Sequence, residues 1–150
     1  MALQKITRSY TEPGIEGETR DCAVRAIAVA CCVSYAEAYF ACEIAGRRPR
    51  EGTYLPTMRD ALILVLGKVP PRIEGTFRHR GGLARRDYWS AGRSDYMPDT
   101  LTQFLAKHPE GHYVLYSYNH AFAVCDGVVH DYQQTTGPRT RIQGGWRVDI

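Results

Sequence analysis

The sequence predicts an α+β domain in which N-terminal helices pack on a C-terminal antiparallel sheet, and three observations predict it. Helix-like apolar segments with recognisable start and stop signals fill the first half of the chain, up to Gly67. After Gly111 the pattern changes to short runs of β-branched and aromatic residues broken by turn residues. The chain has 150 residues of which 44% are hydrophobic, enough for one compact core, so residues 1–150 are expected to form a single domain.

The stretch "RSYTEPGIEGETRD" is rich in Gly, Pro, Thr and Glu and reads as an irregular lead-in. "CAVRAIAVACCV", residues 22–33, is apolar on every side except at Arg25, the composition of a helix buried all round, and it is expected to be the central helix of the core. Asp21 stands where an N-cap would accept from free backbone amides. "SYAE", residues 34–37, matches a capping box and announces a second helix that should stop at Gly46. A third, "LPTMRDALILVLG", tolerates Pro56 in its first turn and should end at Gly67. Residues 68–97 show no clean period, a length at which loops either carry function or hide short strands. A fourth helix, "DTLTQFLAKH", is expected between Pro98 and Pro109. "HYVLYSYN", "HAFAVCD" and "VVHDYQQ" then form a meander, and "TRIQGGWRVDI" offers one or two further strands around Gly144 and Gly145.

Composition narrows the function classes. No stretch reaches the roughly 18 apolar residues of a membrane span, and "MALQKITRSYTEPG" lacks the apolar run of a secretory signal, so a cytoplasmic protein with no membrane partner is expected. Five cysteines without framework spacing suit free thiols. Paired C-x-x-C and H-E-x-x-H signatures are absent, and neither metal nor cofactor is expected. The formal charge is +3, with +4 concentrated in residues 68–97.

Chemistry concentrates in "NHAFAVCDGVVHDY", residues 119–132. If Asp126 and Gly127 are the two loop residues of a hairpin, Cys125 faces Val128, Phe122 faces Asp131 and His120 faces Gln133. His120 and Asp131 then lie diagonally on one sheet face, within reach of an imidazole–carboxylate hydrogen bond that orients a general base. A nucleophile is the missing partner. Cys22 suits it best because a thiol in the first turn of a helix has its thiolate favoured by the unpaired amides, which can also receive a developing oxyanion. His130 points to the opposite face of its strand and Cys125 lies on the face opposite His120. Cys31, Cys32 and Cys42 fall inside or late in helices, and His108 and His112 read as loop residues.

These residues carry a resemblance. "DCAVRAIAVA" at the start of a buried helix, followed about a hundred residues later by "NHAFAVCDGVVHDY", resembles the papain-like cysteine peptidase superfamily, and more narrowly small bacteriophage and bacterial proteins with a D-C-x-x-R-A helix start. The resemblance implies a papain-like fold, Cys22 as nucleophile, His120 as general base and Asp131 as the group orienting His120. It also implies a protein or peptide substrate and, for a phage-encoded chain, the cytoplasm of a bacterial host. The chain departs from papain where that enzyme has an oxyanion-donating Gln six residues before its nucleophile, because Glu16 stands there. The donors implied instead are the amide of Cys22 and the hydroxyl of Thr19. Ala23 also replaces the Gly or Ser that follows the papain nucleophile.

The expected activity is that of a cysteine-dependent peptidase working through an acyl-thioester. The same triad with another acceptor or amide gives transglutaminase-like transfer or deamidation. A reading from a different class keeps the fold without the chemistry: a binding protein whose basic, aromatic segment "FRHRGGLARRDYW" within 68–97 grips nucleic acid or an acidic partner. Such binding would weaken steeply with salt and would not depend on Cys22. Oligomeric state is left open by the sequence.

Overall fold

The computed structural model describes residues 17–74, 77–79, 96–133 and 135–149. The described elements are, in chain order, helices α1 (Cys22–Ala30), α2 (Tyr35–Ile44) and α3 (Leu55–Leu66), strands β1 (Arg72–Glu74), β2 (Phe77–His79) and β3 (Tyr96–Pro98), helix α4 (Leu101–Lys107), and strands β4 (His112–Ser117), β5 (His120–Cys125), β6 (Val128–His130) and β7 (Gly144–Arg147). The architecture is α+β. Five antiparallel strands form a sheet in the order β1-β7-β4-β5-β6, and β2 pairs with β3 separately.

Each helix boundary follows from local chemistry. The hydroxyl of Ser34 accepts from the amide of Glu37 at 3.0 Å, which starts α2, and Gly46 at φ +115 follows its end. Pro56 occupies the first turn of α3, and Gly67 at φ +71 terminates it in the left-handed conformation. Thr100 and Gln103 form a complete capping box at the start of α4. Helix α1 is buried as expected, with Ala23, Val24, Ala26, Ile27, Ala28 and Ala30 all in the core, but it stops at Ala30, and Cys32 turns back at φ +56.

The sheet is covered on both faces. Val114, Tyr116, Ala121, Ala123 and Trp146 pack against α1, α2 and α3, while Leu115, Phe122, Val124 and Val129 pack with Leu101 and Phe104 of α4. Alternation along β4 and β5 therefore divides the core into two layers. Helix α1 packs on β4, β5 and α2, and α3 packs on α2, an arrangement that sets the N-terminus of α1 beside the first residues of β5.

Several expectations are corrected or completed. Asp21 occupies the N-cap position of α1, but its carboxylate makes no capping bond to the helix amides. His112 is not a loop residue: it opens β4, and its Nδ1 lies 2.9 Å from the carbonyl of Ala30, on the turn that ends α1. The aperiodic segment 68–97 contributes β1, β2 and most of β3, whose pairing is with distant or separate strands. Most of the basic stretch "FRHRGGLARRDYW", on which the nucleic-acid reading rests, lies outside the described residues. The C-terminal segment supplies one named strand, β7.

Strand β7 runs between β1 and β4, and its glycines are there for close approach. A β-carbon at Gly145 would overlap the carbonyl of Val114 and come within 2.7 Å of the Leu115 side chain. Gly145→Ala is expected to cost about 1–3 kcal/mol, the usual penalty for forcing atoms into a packed interior. Thermal unfolding should show a melting temperature lower by about 5–10 °C.

Candidate active site

The β5–β6 hairpin has the register expected from its turn. Cys125 faces Val128, Val124 faces Val129 and Ala123 faces His130 across a two-residue loop in which Asp126 and Gly127 both have positive φ, +48 and +79. Asp131 follows the last paired residue, and its carboxylate meets the His120 ring: Nε2 to Oδ1 is 2.7 Å. His130, opposite Ala123, projects to the other face.

Asp131 is held on all sides. It is 3% exposed and accepts from the amides of Gln133 at 3.1 Å, Thr135 at 2.9 Å and Thr136 at 2.8 Å, and from the Thr136 hydroxyl at 2.8 Å. Burial alone would raise its pKa. The His120 bond, the Thr136 amide and hydroxyl and the charge of His120 outweigh burial and hold the carboxyl well below the usual carboxylate range. The loop after β6 is thus folded around one anion.

With Nε2 committed to Asp131, Nδ1 is the ring nitrogen left to face Cys22, whose thiol interacts with His120 so that each shifts the other. Burial acts against the imidazolium, but the bonds to Asp131 and Cys22 and their charges carry its pKa up to about 9. The thiol moves the other way. Burial would push the half-buried Cys22 up, yet the His120 bond, the amides of Ala121 and Ala23 and the charge of His120 together bring it below its ordinary value. The two shifts run in opposite directions, the sense that favours a thiolate beside an imidazolium.

None of the other shifted thiols moves in this direction. Burial, with smaller contributions from neighbouring groups, pushes Cys31 and Cys125 up to about 12, and burial pushes Cys42 up to about 11. Cys32 is exposed beyond the end of α1, its sulfur 3.9 Å from Nδ1 of His112. Among the described residues no group of three or more His, Cys, Asp or Glu side chains is arranged to hold a metal ion. No described helix is long and apolar enough to cross a membrane.

Three of the four residues singled out in the sequence are thus brought together. Thr19 is not joined to them: its hydroxyl donates to the carbonyl of Arg50, 3.4 Å away. Glu16 lies outside the described residues. The amides that reach the Cys22 sulfur belong instead to Ala23 and Ala121. The amide of Ala23 is legible as a helix-start donor, whereas Ala121 has no sequence signal because the approach of β5 to α1 is tertiary.

Sequence reasoning also missed a second group beside the thiol. Asp21, 6% exposed, accepts from Nε of Arg25 at 2.9 Å and from the Tyr35 hydroxyl at 2.7 Å. The Arg25 guanidinium lies 3.6 Å from the ring centroid of Tyr132, the residue after Asp131. A signal for part of this existed: an arginine inside an otherwise apolar helix needs a counter-ion, and Asp21 is four residues before it. Comparison with protein-family models, with curated proteins and with solved structures found no match to the chain. What fold and site define is an α+β domain with a hydrogen-bonded His120–Asp131 pair beside Cys22 at a helix N-terminus.

Proposed function

We propose that the protein is a cysteine-dependent acyl-group hydrolase of papain-like type, acting on protein or peptide substrates. The observation that carries this reading is the continuous chain from Cys22 through His120 to Asp131, with the imidazole between a thiol and a buried carboxylate. Three separate segments supply the three groups in the order nucleophile, base and orienting acid.

In this mechanism His120 already holds the thiol proton before substrate arrives. The Cys22 thiolate attacks the acyl carbon, a carbon–sulfur bond forms, and the carbonyl oxygen gains negative charge that backbone amides at the start of α1 can receive. The carbon–nitrogen bond breaks as the His120 imidazolium gives its proton to the departing amine. Neutral His120 then takes a proton from water, whose oxygen attacks the thioester. The acid is released as the carbon–sulfur bond breaks and leaves the thiolate–imidazolium pair restored. Asp131 keeps its charge throughout and fixes which ring nitrogen faces the sulfur.

An activated acyl ester tests this without knowledge of the natural substrate. Peptide mapping by mass spectrometry after brief exposure should find the acyl group on Cys22, removable by hydroxylamine, and Cys22→Ala should abolish turnover. Acylation spread over the other thiols, or turnover that survives Cys22→Ala, contradicts the proposal.

A further inference from the structure

An aspartate at a helix N-cap ordinarily turns its carboxylate onto the second or third amide of the helix. Asp21 does not. Its Oδ2 instead accepts from Arg25 one turn along α1 and from Tyr35 at the start of α2. Tyr35 is 2% exposed and Arg25 8% exposed, so these donors sit inside the fold and not on its surface. The amide of Ala23, a natural target for such a cap, instead helps to lower the Cys22 thiol.

The alternative pose would harm the site twice. A capping carboxylate would occupy first-turn amides and place a negative charge beside the nucleophile, and both effects disfavour a thiolate. We propose that Arg25 and Tyr35 are positioning residues of the Cys22 site, holding the Asp21 carboxylate off the first-turn amides of α1 so that these amides serve the Cys22 thiolate and the oxyanion formed on its substrate. This rests on the acyl-hydrolase reading. Stacking of Arg25 on Tyr132 extends the clasp to the loop that carries Asp131, so one guanidinium links the nucleophile's helix to the segment that orients His120.

The charged and titratable groups of the site and its clasp come from several elements. His120 acts on the thiol from β5 with Asp131 behind it, Asp21 and Arg25 belong to the start of α1, Tyr35 meets Asp21 from α2, and Tyr132 meets Arg25 from the loop after β6. Tyr35→Phe changes no charge and removes one anchor of Asp21. Arg25→Gln removes the other.

The readout is the pH midpoint of Cys22 alkylation by iodoacetamide, followed by peptide mass spectrometry in variants shown to be folded by circular dichroism and cooperative thermal unfolding. Tyr35→Phe should raise the midpoint by about half a pH unit, the scale of a charge moved at a helix end, and Arg25→Gln by more. Adding Asp21→Ala to Tyr35→Phe should bring the midpoint back to the wild-type value or below. Loosened packing alone has no such reversal, since Asp21→Ala removes a further contact. If Arg25→Gln fails to fold, the Tyr35→Phe pair decides. Folded variants with a wild-type midpoint, or a raised midpoint that Asp21→Ala does not reverse, overturn the clasp while leaving the hydrolase reading intact. A wild-type Cys22 that alkylates no faster than the other thiols below pH 8 overturns both.

Discussion

His120→Ala is expected to raise the pH at which Cys22 becomes nucleophilic by a full unit or more and to lower hydrolytic kcat/KM about 10²–10⁴-fold, the usual contribution of a positioned acid–base group. Burial by itself pushes the Cys22 thiol up, and the hydrogen bond from His120, helped by its charge, does most to reverse that. Without the imidazole, the amides of Ala23 and Ala121 remain, but they do not offset burial of a half-buried sulfur as well. Alkylation at pH 6–7 should slow about tenfold, in proportion to the lost thiolate fraction. His120→Gln is an informative companion because it retains a donor without a titratable ring. It should recover part of the alkylation and none of the proton transfer to a leaving amine. Initial-rate kinetics and alkylation rates on the same preparations separate these two losses.

Asp131→Ala should unfold the loop after β6 as well as misorient His120, with a stability loss of about 3–5 kcal/mol, the scale for removing one partner from a buried ion pair. Three backbone amides and the Thr136 hydroxyl lose their acceptor together. For a chain of this size that is a melting temperature lower by about 10 °C or more. Asp131→Asn keeps one acceptor oxygen and should lose less. The pH dependence has a definite sign. Because folding lowers the Asp131 pKa from its ordinary 3.8, its contribution is present above about that pH and fades as pH falls through the folded value. Because folding raises His120 from 6.5 to about 9, its contribution is complete below about 6.5 and is lost as pH rises through about 9. The stability advantage of the wild type over Asp131→Asn should therefore be greatest between about pH 4 and 6.5 and shrink on either side. Thermal melts across pH 3–10 measure it.

The hairpin is readable from the sequence because its determinants are local. Asp126-Gly127 sets the turn, the turn sets the register, and the register places His120 diagonal to Asp131. The helix starts at Ser34, Leu55 and Thr100 are readable for the same reason, each resting on a cap or a proline within a few residues. Strand β1 is not, since Arg72–Glu74 is held by pairing with β7 some seventy residues later. The fate of Asp21 is not readable either. An N-cap and a buried arginine compete for one carboxylate, and the outcome depends on Tyr35 arriving from α2, a tertiary event with no local signature. Thr19 illustrates the converse: a hydroxyl at a plausible separation from the nucleophile finds a nearer partner in the Arg50 carbonyl.

The most direct test of a poised thiolate–imidazolium pair is the pH-dependent rate of iodoacetamide labelling at each of the five cysteines, mapped by peptide mass spectrometry in the wild-type protein and in His120→Ala. Cys22 should label selectively well below pH 8, ahead of Cys31, Cys42 and Cys125, and the mutant should lose this advantage. A Cys22 that reacts no faster than the other thiols, with a profile unchanged by His120→Ala, would contradict it.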